Sequence, residues 1–164
     1  MNNKYSLITG GTAGIGLDIA KELAKRGHNI LLTARREERL KEISASIKEE
    51  FNVDCNYIAA DLADASAPEM IYNFCSKNNY IVEILVNNAG YSINKKFHKT
   101  SEDEEEKFLR VLGIAVVALT KKFIPSMLEQ NHGKIMMVSS LASFAPPSSG
   151  WGALYGPVKT FVNR

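Results

Sequence analysis

The stretch TGGTAGIG, residues 9–16, decides how this sequence is read. It follows an apolar run, KYSLIT (4–9), and leads into IGLDIAKELAKRG (15–27). In that second segment Ile15, Ile19, Ala20 and Leu23 keep helical spacing, and Gly27 offers a C-terminal stop. A strand, a glycine-rich turn and a helix in that order make a place where backbone can approach a diphosphate closely. Gly10, Gly14 and Gly16 carry no Cβ to obstruct the approach, and the N-terminus of the following helix favours negative charge. The spacing is G-x-x-x-G-x-G rather than G-x-G-x-x-G, so the glycines alone also fit a tight turn. Their place between strand and helix favours the nucleotide reading.

Outward from this turn the alternation repeats. NILLTA (29–34) reads as a second strand and REERLKEISASIKEEF (36–51) as a helix with Leu40, Ile43 and Ile47 on one stripe. DCNYIAAD (54–61) is a third strand, and APEMIYNFCSKN (67–78) a helix with Pro68 near its first turn, where a missing N–H costs little. VEILVNNAG (82–90) is a fourth strand ending on a glycine. SEDEEEKFLRVLGIAVVALTKKFIPSMLEQ (101–130) is a long helix that Ser101 and Glu104 can open with a capping box. Its acidic first turn suits the helix dipole. GKIMMVSS (133–140) is a fifth strand, and a last helix is expected to begin near Tyr155. This pattern predicts an α/β fold: a Rossmann-type, doubly wound parallel sheet with helices on both faces. No linker, repeat or low-complexity segment interrupts it, so residues 1–164 read as one domain.

The strand ends carry the candidate nucleotide contacts. The second strand runs into Ala34, Arg35 and Arg36. Proteins that prefer the unphosphorylated dinucleotide usually place an acid here for the ribose hydroxyls, whereas guanidinium groups suit a 2′-phosphate. NADP(H) is therefore expected ahead of NAD(H), with a solvated helix start as the plainer reading, more so for Arg36 than for Arg35. Asp61, closing the third strand, either accepts a hydrogen bond from adenine or caps a turn. Asn87 to Gly90 either lie beside the cofactor or stitch neighbouring strands together.

With TGGTAGIG, NNAG (87–90), VSS (138–140) and YGPVK (155–159) in this order on these elements, the chain resembles the short-chain dehydrogenase/reductase family over essentially its whole length. The resemblance implies hydride transfer between a nicotinamide and a carbonyl or alcohol, with Ser140, Tyr155 and Lys159 as the catalytic residues. It implies a cofactor site made from Gly10, Thr12, Gly14, Ile15, Gly16, Arg35, Arg36, Asp61, Leu62, Asn88, Ala89 and Gly90, together with Tyr155 and Lys159. The chemistry of the residues agrees. A carbonyl accepting hydride needs a proton on oxygen. A free phenol, with a pKa of about 10, is a sluggish acid or base near neutrality, and a cation one turn away favours its ionised form. A serine hydroxyl beside them can hold the carbonyl oxygen.

Two departures from the family pattern stand out. Relatives carry an Asn in the long helix, in support of a proton-relay water. Counted back from Pro125 that slot falls near Leu112, and FLRVLGIAVVAL (108–119) contains no Asn. A backbone carbonyl, a water or another donor is then needed, and Gly113 is expected to loosen the helix there. Pro157, between Tyr155 and Lys159, is tolerated only in a first helical turn, so the last helix should start close to Tyr155 and be less regular than in relatives.

Composition bounds the remainder. The chain has 164 residues, is 45% hydrophobic and carries a net charge of +2 with no long basic run, which argues against nucleic acid as a partner. No secretory pattern opens it, and no apolar stretch reads as long enough to span a membrane, so a cytoplasmic protein is expected. Cys55 and Cys75 are isolated and read as reduced thiols; they and His28, His98 and His132 make no metal-type spacing. Tyr91, Phe97, Phe144 and Trp151 are expected to line a pocket for a fairly apolar carbonyl compound, or to pack loop against core or against a partner subunit. The family resemblance implies further strands beyond Lys159, so the 164 residues read as the front of a longer enzyme with its C-terminal elements missing. The long helix is apolar on nearly every side, which predicts a homodimer or a tetramer of such dimers. A dinucleotide-binding protein without catalysis, acting as a sensor, is the alternative reading.

Overall fold

The structure is a computed structural model and describes residues 3–146 and 152–164. Five parallel strands form one sheet in the order β3-β2-β1-β4-β5. They are β1 (Lys4–Thr9), β2 (Asn29–Ala34), β3 (Cys55–Ala59), β4 (Ile81–Asn87) and β5 (Lys134–Met137). Between them run α1 (Gly14–Lys25), α2 (Glu37–Phe51), α3 (Ala67–Lys77), α4 (Glu102–Leu109) and α5 (Ala115–Glu129), and α6 (Tyr155–Asn163) follows β5. The chain winds from β1 outward through β3, then returns to the other side of β1. Strand order therefore reverses between β1 and β4, where open sheets of this kind leave a crevice.

Strand alternation sorts the apolar side chains into two cores. On β1, β2 and β4, Ile8, Ile30, Leu32, Ile84 and Val86 face α1 and α2, meeting Ala20, Ala24, Leu40, Ile43 and Ile47. Their neighbours Leu7, Leu31 and Leu85, aligned in register across the three strands, face Ile71, Phe108, Leu112, Leu119 and Phe123 on the other side. Strands buried on both faces need near-continuous apolar runs, as the sequence has. The helix stops are local: Gly27 takes φ +84°, and Asn52 closes α2 in the left-handed region at φ 54°.

The long helix forms between Glu102 and Glu129, opened by the expected Ser101–Glu104 capping box. It is not uniform: a π-turn, Arg110–Ile114, separates α4 from α5. Against the sequence expectation, the whole Glu102–Glu129 segment is long and apolar enough to cross a membrane. One stripe of it, Phe108, Leu112, Ala115, Leu119 and Phe123, is instead buried against the sheet. The fifth strand is shorter than GKIMMVSS implied. Val138 still donates to the Asn87 carbonyl at 2.9 Å, but Ser140 then caps a 3-10 turn, Leu141–Ser143, and the chain leaves the sheet.

Candidate active site

An open cleft of about 520 Å³ lies at the carboxyl ends of the strands, across the reversal between β1 and β4. Gly10, Thr12, Ala13 and Ile15 line one side. Ala13 gives α1 no side-chain cap, so the first-turn N–H groups of α1 are left for whatever enters. The three glycines do different work. A Cβ on Gly16 would stand 2.3 Å from the Asn88 amide nitrogen, and one on Gly10, at φ +68°, would stand 2.9 Å from Ala89 Cα. Both let the turn press against the end of β4. Gly14, at φ +53°, has nothing within 4 Å of its missing Cβ.

Asn88 binds the two strand ends together. Its side-chain amide donates to the Thr9 carbonyl at 2.9 Å, and its backbone N–H and that of Ala89 donate to Thr9 Oγ1 at 2.9 and 3.0 Å. Thr9 Oγ1 donates in turn to the Val86 carbonyl at 3.2 Å. Asn87 is buried and reaches the other way, donating to Thr120 Oγ1 at 3.2 Å. The stitching reading of this Asn pair is thus correct, while Asn88, Ala89 and Gly90 also line the cleft.

Arg35 and Arg36 stand exposed at the end of β2, on the cleft wall, and neither makes a salt bridge among the described residues. Asp61 and Leu62 line the cleft after β3; Asp61 Oδ1 also accepts from the Ala63 N–H at 3.0 Å, so the turn-capping role holds. Tyr91, Lys107 and Val111 close the opposite wall. Burial raises the Tyr91 phenol, and its ring meets Phe108 edge-on at 5.4 Å. A hydrogen bond to Asp103 at 2.7 Å holds the Lys107 ammonium above its ordinary range.

Tyr155 and Lys159 come to the inner end of the same cleft on the first two turns of α6. The helix starts at Tyr155, as Pro157 requires, and Val158 N–H already bonds the Leu154 carbonyl at 3.0 Å. Lys159 is 5% exposed. Its Nζ donates to the Val138 carbonyl at 2.7 Å and lies 6.0 Å from the centre of the Tyr155 ring. Burial lowers its pKa. Ser139 lines the cleft, but Ser140 is not among the residues that do: its Oγ accepts from the Ala142 N–H at 3.1 Å. On the far side of Tyr155 a small pocket of about 20 Å³ is walled by Ile93, Phe97, Phe108 and Leu154.

The family profile described as short chain dehydrogenase matches residues 4–164. The chain belongs to that family. It is 32% identical over 159 residues to the NADP-dependent 3-hydroxy acid dehydrogenase YdfG of Escherichia coli, covering 96% of this chain and 62% of the relative. It is 33% identical over 164 residues to the very-long-chain 3-oxoacyl-CoA reductase of Rattus norvegicus, covering 98% of this chain and 51% of the relative. Among solved structures, a short-chain dehydrogenase from Sphingobium yanoikuyae in complex with NADPH superposes with a TM-score of 0.89 at 29% identity, over 97% of this chain and 61% of that one. L-sorbose reductase from Gluconobacter frateurii, complexed with NADPH and L-sorbose, gives 0.90 at 30% identity, over 97% and 60%. The chain thus spans between about half and three fifths of the length of these relatives.

Within this short-chain dehydrogenase fold the cleft holds residues that the motifs did not name. Lys107 and Val111 stand four apart on the long helix, a spacing that puts them on one face, but nothing in the sequence says that the face meets the cleft. Ser139 sits beside the expected Ser140 in one dipeptide, and only the turn that follows distinguishes them. Leu112, the slot expected for Asn, is 1% exposed, and its Cγ lies 3.6 Å from where a Cβ on Gly90 would be. The helix is loosened there as expected, by the π-turn that contains Gly113. Of the aromatic residues expected around a substrate, Tyr91 lines the open cleft, Phe97 walls the small pocket and Phe144 is 77% exposed; Trp151 lies outside the described residues.

Proposed function

We propose that this chain is an NADP(H)-binding short-chain dehydrogenase/reductase domain that interconverts a carbonyl and an alcohol. The observation that carries the proposal is the convergence of Tyr155 and Lys159 on one cleft with the glycine turn and with Arg35 and Arg36. In this reading the α1 N-terminus holds the diphosphate and the two guanidinium groups hold the 2′-phosphate. Asp61 and Leu62 meet the adenine, and Asn88 to Gly90 border the nicotinamide half. The nicotinamide, when bound, supplies or takes the hydride.

Tyr155 is the general acid and base at the carbonyl oxygen. The Lys159 ammonium, anchored on Val138, places positive charge beside the phenol and favours its ionised form. Ser140 is the proposed hydrogen-bond donor to the substrate oxygen. Its Oγ spends an acceptor site on Ala142, which leaves the hydroxyl hydrogen to donate. The substrate is a small molecule with an apolar face, received between the cleft and the small pocket behind Tyr155. Buried, unpaired Cys55 and Cys75, each with its thiol pushed up to about 12 by burial, fit a cytoplasmic protein. The unit in solution is a homodimer or a tetramer of such dimers.

The test is NADPH oxidation by purified protein with a panel of ketones and aldehydes, beside a titration of NADPH binding. Binding without turnover on any carbonyl would instead establish the non-catalytic sensor, which the placement of Ser140 outside the cleft lining favours.

A further inference from the structure

We propose that Ser139 is a positioning residue for Lys159. It acts through the lysine's own backbone, and it rests on the reading of Tyr155 and Lys159 as the reacting pair. Two hydrogen bonds run from the dipeptide after β5 to this one lysine. Lys159 Nζ donates to the Val138 carbonyl at 2.7 Å, and Ser139 Oγ donates to the Lys159 backbone carbonyl at 3.1 Å. The first fixes the far end of the side chain and the second fixes its root.

A lysine needs both. Its stem has four rotatable carbons, so an ammonium held at its tip alone can keep its bond while the backbone drifts. The position of α6 over the strand end is set by what touches it. Val158 enters the core, and Thr160 Oγ1 lies 3.0 Å from the Ser143 carbonyl and 3.0 Å from that of Gly156. The Ser139 bond is made to the lysine's own backbone. It ties the helix to the strand end that holds the ammonium, so that Nζ and the Tyr155 ring keep a fixed relation. Ser140 caps the following 3-10 turn, its Oγ accepting from the Ala142 N–H, and makes no hydrogen bond to Lys159 among the described residues.

The test compares Ser139→Ala, Ser139→Thr and Thr160→Val in the full chain. Thr160→Val removes a different tether on the same helix. The first readout is the hydrogen exchange of the Lys159 ammonium, followed by ¹⁵N NMR and assigned by its absence in Lys159→Met. The second is the pH profile of kcat with NADPH and a ketone. Ser139→Ala should speed the exchange, lower kcat about tenfold or more with less change in KM, and move the profile by about half a pH unit or more. Ser139→Thr should restore both, and Thr160→Val should alter neither. An unchanged ammonium signal in Ser139→Ala overturns the proposal. So does an equal effect of Thr160→Val, or a failure of Ser139→Ala to fold, since either makes the hydroxyl a general structural tether. If Ser139→Ala changes the ammonium exchange while the wild-type chain shows no turnover, the tether stands and the reductase reading falls.

Discussion

Lys159 Nζ lies 6.0 Å from the centre of the Tyr155 ring while its hydrogen bond goes to the carbonyl of Val138. The charge is thus held beside the phenol by the strand end, and the lysine is nearly sealed from solvent. Tyr155→Phe removes the proposed proton carrier and leaves the ring packing against Phe108. Turnover with NADPH and a ketone should fall about a hundredfold to ten-thousandfold, with a much smaller change in NADPH affinity in a fluorescence titration. Equal turnover in the two proteins would rule out the assigned chemistry.

Arg35 and Arg36 line the cleft with no salt bridge among the described residues, so their charge is available to a ligand. A hydrogen bond to a charged group contributes about 1.5–3 kcal/mol. Arg35→Ala should therefore weaken NADPH binding about tenfold to a hundredfold and leave NADH binding nearly unchanged. A parallel loss of both affinities would move the 2′-phosphate away from this arginine.

The glycine turn separates conformation from contact. Gly10 and Gly14 both have positive φ, and an alanine at either costs about 1–2 kcal/mol for that reason alone. At Gly10 the new methyl also overlaps Ala89 Cα at 2.9 Å, whereas at Gly14 it meets nothing within 4 Å. Urea denaturation should show Gly10→Ala as the less stable of the two variants. The reverse order would mean that the end of β4 yields to the methyl.

These sites show where sequence reading reaches and where it stops. The five strands and the helices were legible because strands buried on both faces need unbroken apolar runs such as NILLTA and EILV. The ends of α1, α3 and the long helix were legible in Gly27, Pro68 and the Ser101–Glu104 box. The π-turn was readable only as a weakness at Gly113; the close approach of α6, whose Val158 and Phe161 lie within 4 Å of a Cβ built there, joins segments far apart in the chain. The cleft contacts of Lys107, Val111 and Ser139 were not legible, because they depend on how the long helix and the segment after β5 sit over the sheet. The glycine motif predicted one shared role; the structure divides it into packing at Gly10 and Gly16 and openness at Gly14.

At the opposite end of the sheet, Tyr5 donates to Asp54, which also receives Lys48 Nζ at 3.1 Å and the Asn56 amide at 3.0 Å. Burial raises the Asp54 carboxyl, but the bonds from Tyr5 and Lys48 outweigh it and hold the pKa below the ordinary carboxylate value. A depressed carboxylate contributes stability that is fully present above its unfolded pKa, about 3.9, and lost as pH falls through the lower folded value. Asp54→Asn should therefore be less stable than wild type at neutral pH, and the gap should narrow below about pH 4. Thermal unfolding followed across pH 3–7 checks this; a gap constant over that range would assign the effect to packing.

The long helix buries Phe108, Leu112, Leu119 and Phe123 against the sheet, yet Leu109, Ile114, Val117 and Leu128 stay exposed. Three of those four, with Phe161 from α6, line an apolar groove of about 620 Å³ that also includes Pro157 and Val158. Ile114 is 52% exposed, Val117 49% and Phe161 58%, and among the described residues no charged side chain lines the groove. A contiguous apolar patch of this kind marks an association surface. A two-fold axis along the helix pair would use the patch twice and cover both copies at once. Because α6 carries Tyr155 and Lys159 at its start, an interface on its outer face would also brace the site. On the proposed two-fold assembly, Val117→Glu should give a monomer where the wild-type chain sediments as a dimer at micromolar concentration, since an unpaired carboxylate in a dry interface is strongly unfavourable. The far-UV spectrum should not change, because Val117 has no place in the buried core. A wild-type chain that sediments as a monomer, with the groove shielded from solvent by its own residues, would refute the assembly.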